Sequence, residues 1–205
     1  MGLLKPFILF LRNFLAVILN PYNTYRRISF SGTDIRQVFY IYVFVLLYFL
    51  FASLLKAGYK NPFLLTFKFN SLFLASTSGF FLMIFLFYLG HKIYSTVNFY
   101  PGRLVVLWSY SLFPTLFWFF YTSVMYIVLP PPRTFSIFGK TYSLLYLVVS
   151  TTLLLWKLML YYLTLRFALR LDLSRIILLT LLFTPVIFVY ALLMYRLGVY
   201  KIPFI

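Results

Sequence analysis

Two aspartates, Asp34 and Asp172, are the only carboxylate side chains in this sequence, and they stand against 18 lysines and arginines. One histidine, His91, and no cysteine complete the set of residues that could bind a metal or transfer a proton. General acid–base pairs, metal sites and activated nucleophiles draw two or more groups from this set. We therefore predict no catalytic, cofactor-binding or metal-binding residue, and we expect a protein that is not an enzyme and has no cofactor.

Lys157 is the one charged residue well inside a long apolar run. A charge at such depth in a membrane helix is costly and often marks a functional site. Arg166 follows nine residues later, about 13 Å along a helix, so Lys157 could instead extend to the membrane boundary or pack against tyrosine hydroxyls. The sequence leaves two interpretations open: a structural lysine, or a helix contact or polar cavity with a functional role.

Pro114 lies inside the third apolar run and is a second candidate. An interior proline kinks a helix because it removes one hydrogen bond and crowds the preceding turn. Ser109, Tyr110 and Ser111 are nearby donors that could satisfy the freed carbonyl. A structural kink and a working hinge are both compatible with this pattern.

Basic residues collect in the connections between the apolar runs. Asp172 and Arg175 are three residues apart in one such connection and can pair locally, so we name both as candidate functional or helix-contact residues. The partner that best explains the dispersed charge is a bilayer with anionic headgroups, not nucleic acid, because no single basic patch forms. The predicted headgroup-binding residues are Arg26, Arg27, Arg36, Arg166 and Arg170.

The apolar runs predict the architecture that must position these residues. The sequence is 64% hydrophobic, with a mean hydropathy of +0.99, and about 20 mostly apolar residues suffice for one transmembrane helix. We predict an all-α membrane protein, a five-transmembrane-helix bundle formed by residues 38–205. The predicted spans are approximately 38–55, 69–89, 104–129, 143–165 and 176–193.

Residues 1–37 form a separate predicted segment, an interfacial amphipathic helix followed by an elbow. Apolar residues recur at helical spacing from Leu3 to Ile18, and Lys5, Arg12 and Asn13 interrupt the periphery of this helix. Asn20-Pro21 ends this helix, because the residue before a proline disfavours helical geometry. We expect a polar elbow held at the headgroups, with Asp34 as a helix cap for the first span.

The distribution of basic residues predicts the orientation. Ten lysines and arginines fall on the side of the N-terminus and seven on the other side. Because cytoplasmic loops carry the excess of lysine and arginine, we expect a cytoplasmic N-terminus. The expected protein partner is another membrane protein or a second copy of the chain.

Three segments of the sequence resemble the Yip family of integral membrane proteins. The first is NPYNTYRRI at 20–28; the second combines GRL at 102–104 with SYSLFP at 109–114; the third runs from LW at 155–156 to ALRLDLSR at 168–175. The likeness extends over nearly the whole chain. The short form is similar to the prokaryotic branch of that family, and this likeness implies a prokaryotic plasma membrane as the location.

The resemblance implies a multi-pass helical fold and a role without catalysis. Eukaryotic Yip proteins are Rab-interacting proteins of the secretory pathway, and some bacterial members act alongside ABC-type exporters. No catalytic residue carries over from either branch. The resemblance implies a scaffold or adaptor in membrane organisation or trafficking, or an accessory to another membrane complex such as an exporter.

A small transporter or permease component is the alternative function. Intramembrane charge and broken helices often line a substrate pathway. Here Lys157 would supply the charge, and Pro114 and Pro185 interrupt two spans. Replacing Lys157 separates this hypothesis from a purely structural role for the lysine.

Overall fold

The computed structural model of this chain describes residues 4–30, 34–57, 61–94, 99–128 and 137–198. Every regular element in these residues is an α-helix. In chain order the eight helices are α1 (Leu4–Leu19), α2 (Pro21–Phe30), α3 (Arg36–Ala57), α4 (Pro62–Tyr94), α5 (Pro101–Tyr110), α6 (Phe113–Val128), α7 (Ile137–Ala168) and α8 (Leu173–Arg196).

Five segments are long and apolar enough to cross a membrane, so the protein is an all-helical, multi-pass membrane protein. The spans are Arg36–Leu55, Pro62–Tyr94, Pro101–Met125, Gly139–Ala168 and Leu173–Arg196. This architecture confirms the predicted five-helix fold class. Position 129, the predicted end of the third span, lies outside the described residues. The same is true of residues 1–3 and 31–33 in the predicted N-terminal segment 1–37 and of residues 199–205 in the predicted bundle 38–205.

Proline begins three of the helices. Pro21, Pro62 and Pro101 each occupy the first position of a helix, where the missing N–H costs no hydrogen bond and the fixed φ suits the helix. Asn20 and Asn61 cap two of these helices: their Oδ1 atoms accept from the backbone N–H groups three residues on, at 3.4 and 3.1 Å. The Asn-Pro pairs are therefore start signals for new helices.

The second and fourth spans are longer than predicted. We expected them to begin at residues 69 and 143, but α4 begins at Pro62 and α7 at Ile137. With 33 and 32 residues, each is about 50 Å long and exceeds the roughly 30 Å hydrocarbon layer. Lys68 and Lys140 are part of these helices. A helix end that projects beyond the hydrocarbon layer needs no apolar surface, so charged residues can lie there.

The third span is two helices rather than one kinked helix. Helix α5 begins at Pro101, three residues before the predicted start of the span, and ends at Tyr110, four residues before Pro114. Because proline has no N–H, the carbonyl of Tyr110 has no helical donor, and the chain turns at Ser111 and Leu112 before α6 begins. The break lies near the middle of the span.

The N-terminal segment contains two helices that pack on the bundle. With 16 residues, α1 is about 24 Å long, too short to cross the hydrocarbon layer. The predicted elbow contains α2, which packs against α5 and α7. Phe10, Val17, Tyr25 and Ile28 are buried in the same core as the spans. The two segments that the sequence distinguishes thus share one core.

The bundle has two halves with different packing. At one side of the bundle α3, α5 and α8 begin and α4 and α7 end; we call this the near side. The packed half consists of α1, α2, α5 and the near-side ends of the other spans, and seven of the ten α5 residues are buried. The open half consists of α6, the first part of α7 and the last part of α8. Many of its apolar side chains are exposed, as expected for residues that face lipid.

A candidate ligand site at the break in the third span

Lys157 reaches the break in the third span from α7. Its Nζ donates to the carbonyl oxygen of Ser111 at 2.9 Å and lies 4.6 Å from the ring centroid of Trp108. Lys157 is eleven residues before the end of α7, about 16 Å along the helix axis. Lys157 therefore makes a contact between α7 and the break in the third span, and this contact is compatible with both interpretations that the sequence left open.

The chemistry of this contact follows from the broken backbone. Carbonyls at a helix end lack intrahelical partners, and in lipid an unsatisfied carbonyl costs several kcal/mol. Ser111 satisfies a different carbonyl with its own hydroxyl, which donates to the Trp108 oxygen at 2.7 Å. An ammonium carries three N–H donors and no acceptor. Lys157 thus supplies a strong donor where the chain has interrupted its own helix.

Lys157 and Pro114 line a cavity between α6 and α7. Its volume is about 340 Å³, within the range of about 300–1,000 Å³ that is typical of small-molecule pockets. The wall carries three hydroxyl groups as well as apolar side chains. The other lining residues are Thr115, Trp118, Phe119, Ser150, Thr151, Leu153 and Leu154.

One hydrogen bond connects the two walls of the cavity. Trp118 Nε1 donates to Ser150 Oγ at 2.9 Å, so α6 and α7 are connected at this level. Because Ser150 is the acceptor, the hydrogen of its own hydroxyl group takes no part in this bond. Leu154 is 57% exposed and Thr151 is exposed as well, so the cavity opens to the surface of the bundle that faces lipid.

A buried polar cluster in the packed half is a feature that the sequence analysis missed. Asn13 Nδ2 and the Tyr110 hydroxyl both donate to Gln37 Oε1, at 2.8 and 2.9 Å. Arg27 Nη2 donates to Asn13 Oδ1 at 3.0 Å, and Gln37 Nε2 donates to the carbonyl of Asp34 at 3.1 Å. This cluster fixes α1 and α2 on α3 and α5. The prediction that Asn13 lies at the periphery of α1 was wrong, because its side chain is only 4% exposed and bonds to Gln37 and Arg27.

Further hydrogen bonds hold α2 and α5 against the bundle. The Tyr25 hydroxyl donates to the Leu107 carbonyl at 3.1 Å. Burial raises the pKa of the Tyr25 phenol, which keeps its proton and remains a donor. Arg103, the residue before the predicted start of the third span, is only 5% exposed and donates to the Ala168 carbonyl at 2.8 Å. Arg103 therefore caps the C-terminal end of α7, where a cation is favoured.

Asp172 and Arg175 do not form the predicted local pair. Arg175 Nη1 donates instead to the carbonyl oxygen of Tyr94 at 2.8 Å. Asp172 is the residue before α8, and its side chain makes no capping hydrogen bond to that helix. The carbonyl of Tyr94 lies at the C-terminal end of α4, where a cation is favoured. Arg175 thereby connects the start of α8 with the end of α4.

The predicted headgroup residues are all exposed, and most lie at the near side. Arg26, Arg36 and Arg170 are exposed there. Arg166 donates to the Tyr162 hydroxyl at 2.6 Å, and Arg27 belongs to the buried cluster through its bond to Asn13. Asp34 caps α3 as predicted, because its Oδ1 accepts from the Arg36 N–H at 3.0 Å.

No protein-family model, curated protein or solved structure matches this chain. Among the residues that the structure describes, no group of three or more histidine, aspartate or glutamate side chains could hold a metal ion. The function must therefore be inferred from this chain's own geometry. Two features are available for that purpose: the exposed arginines of the near side and the Lys157 cavity.

Proposed function

We propose that this protein is a non-enzymatic membrane scaffold or adaptor of the Yip type. It uses its near side to engage anionic headgroups and another membrane protein, such as an exporter. The proposed location is a prokaryotic plasma membrane with a cytoplasmic N-terminus, so that the near side faces the cytoplasm. In this arrangement α1 lies at the interface beside the first span.

The arginines of the near side support this proposal most directly. Three exposed arginines lie on different elements of this side: Arg26 is in α2, Arg36 is in α3, and Arg170 is in the connection between α7 and α8. The buried cluster around Gln37 and the Arg103–Ala168 bond hold these elements in fixed positions. A rigid, cationic surface of this kind suits docking at an anionic membrane surface or on an acidic partner.

Crosslinking in native membranes, followed by mass spectrometry, tests the adaptor function. We expect one membrane complex to be recovered reproducibly, with crosslinks to α2 and to the connection between α7 and α8. The triple variant Arg26→Gln, Arg36→Gln and Arg170→Gln is expected to lose the complex. Arg196→Gln, at the end of α8 on the opposite side, is the matched control. Recovery of the same complex from the triple variant would contradict the proposed near-side contact, and recovery of no complex from the wild type would contradict the adaptor function.

A small permease component is a second candidate, supported by the position of Lys157 at a broken span. Chloride efflux from proteoliposomes tests it, because chloride is a small anion that a cationic site would admit. Efflux above that of empty vesicles, abolished by Lys157→Leu, would support conduction. Efflux equal to that of empty vesicles would reject a chloride permease and leave the adaptor function in place.

A further inference from the structure

The charge of Lys157 has no counter-charge among the side chains of this protein. Asp34 and Asp172 are the two carboxylates, and both lie at helix starts on the near side. The hydrogen bond to Ser111 and the ring of Trp108 provide a neutral acceptor and a polarisable face. A cation in a low-dielectric interior is stabilised most by an anion. The Ser111 carbonyl accepts from only one of the three N–H donors of the Lys157 ammonium group.

The surroundings of the cavity indicate how an anion would arrive. Trp108 is 1% exposed and lies beneath Lys157, so the buried side chains of the packed half close the cavity toward the near side. The opening is bordered by Thr151 and Leu154, on the surface that faces lipid. Exposed leucines continue along α7 on both sides of this opening, at Leu147 and Leu158. A ligand that enters here comes from the bilayer.

We propose that the cavity between α6 and α7 binds the anionic head of an acyl-chain amphiphile, with Lys157 as its counter-ion. The head is a carboxylate or a phosphate, and its oxygens accept from the ammonium group and from the hydroxyls of Thr115, Ser150 and Thr151. The acyl chain leaves through the lateral opening and lies along the exposed leucines of α7. This site is separate from the near-side surface and does not depend on the adaptor function.

A purely structural lysine is the competing explanation, and one substitution separates the two. Lys157→Gln keeps an N–H donor for the Ser111 carbonyl but removes the charge. If the lysine only completes the broken helix, this variant resembles the wild type in every measurement. If the lysine binds an anion, the variant folds but loses the preference for anionic ligands. Lys157→Arg keeps the charge and is expected to retain that preference.

Photolabelling of the full chain in phosphatidylcholine nanodiscs provides the test. The probes are a long-chain fatty acid with a diazirine in its chain and the corresponding fatty alcohol, which is neutral. We expect the acid to label the peptides around Thr115–Phe119 and Ser150–Leu154 about tenfold more than the alcohol, because a charge-assisted hydrogen bond distinguishes them. Lys157→Gln is expected to abolish this excess, and Lys68→Gln in α4 is the control that leaves it unchanged.

Three results would overturn the proposal. The first is equal labelling of the wild type by the acid and the alcohol. The second is an undiminished excess of acid labelling in Lys157→Gln. The third is labelling that extends evenly over the lipid-facing peptides of α8. If Lys157→Gln does not fold, the Lys157→Arg variant, which keeps the charge, provides the test. A Lys157→Arg variant that still prefers the acid supports the site, and one that has lost this preference contradicts it. Competition by unlabelled oleate or lysophosphatidic acid then identifies the head: the stronger competitor shows whether a carboxylate or a phosphate is the natural group.

Discussion

The two helices of the third span, α5 and α6, belong to one predicted span and are buried to different extents. Seven of ten α5 residues are buried beneath α2, α3, α4 and α7. Phe117, Phe120 and Ile127 of α6 are at least 40% exposed. The packed half is therefore organised as a protein interior, whereas α6 in the open half has one buried side and one side that faces lipid. The break at Ser111 and Leu112 is the boundary between them.

This difference shows where the protein places its polar groups. The packed half contains the Gln37 cluster, in which each amide group of Asn13 and Gln37 finds a partner. The open half contains hydroxyls and one lysine around a cavity. Since lipid offers no hydrogen bonds, a polar group in either half is stabilised where the protein, or a bound ligand, satisfies it.

Truncating a core leucine should reveal the difference most strongly. Leu107 in α5 is fully buried and Leu193 in α8 is 53% exposed. We expect Leu107→Ala to lower the free energy of unfolding by about 2 kcal/mol or more, because the loss of packing leaves a cavity. Leu193→Ala should change it by less than about 0.5 kcal/mol, since lipid fills the space. Thermal unfolding in detergent micelles measures both, and equal effects would contradict the division into halves.

Adding a methyl group between α4 and α8 should have an intermediate effect. A Cβ atom at Gly90 would lie 2.1 Å from Leu179 Cδ1, whereas one at Gly79 would lie 3.2 Å from the Tyr190 hydroxyl oxygen. We expect Gly90→Ala to destabilise the fold by about 1–3 kcal/mol through overpacking. Gly79→Ala should be neutral or slightly stabilising, because alanine favours the helix by about 1 kcal/mol. The same unfolding assay compares them, and a larger loss in Gly79→Ala would show that the open half is the tighter one.

Breaking the buried cluster should have the smallest effect of the three. Asn13→Ala removes one hydrogen bond to Gln37 and one from Arg27, and we expect a loss of about 1 kcal/mol. Asn23→Ala changes an exposed asparagine on α2 and should stay within about 0.5 kcal/mol of the wild type. Hydrogen exchange of the α1 and α2 amides provides a second measurement: faster exchange is expected in Asn13→Ala alone. Unchanged exchange there would show that the cluster does not hold these helices.

Much of the fold follows from local patterns in the sequence. Apolar runs of sufficient length predicted five spans, and Asp34 was recognised as a cap from its residue type and position. The errors lie at the ends of elements. Helices α4 and α7 extend beyond their apolar runs, and α5 begins at Pro101, three residues before the predicted start of its span. Helix ends that project from the hydrocarbon layer, and prolines in the first turn of a helix, are not strongly apolar. Hydropathy therefore predicts the ends of such helices poorly.

Little of the candidate site could be predicted in detail. Lys157 and Pro114 were named because a charge and a proline are unusual within apolar runs. Their common cavity could not be foreseen, because it depends on how α6 and α7 pack. The suggested Asp172–Arg175 pair was wrong because the carbonyl of Tyr94, 81 residues from Arg175, is the acceptor instead. Spacing along the chain describes only neighbours on one helix.

The sequence by itself determined that this is a helical membrane protein with five spans, because the length and apolarity of each run are local properties. It also determined that few groups are available for chemistry. The tertiary structure alone decided that Lys157 meets Ser111, 46 residues away, and that Gln37 joins Asn13 and Tyr110, 24 and 73 residues away. Such contacts depend on how the helices pack, and hydrophobic patterning specifies that packing only weakly where lipid is as apolar as the neighbouring helix.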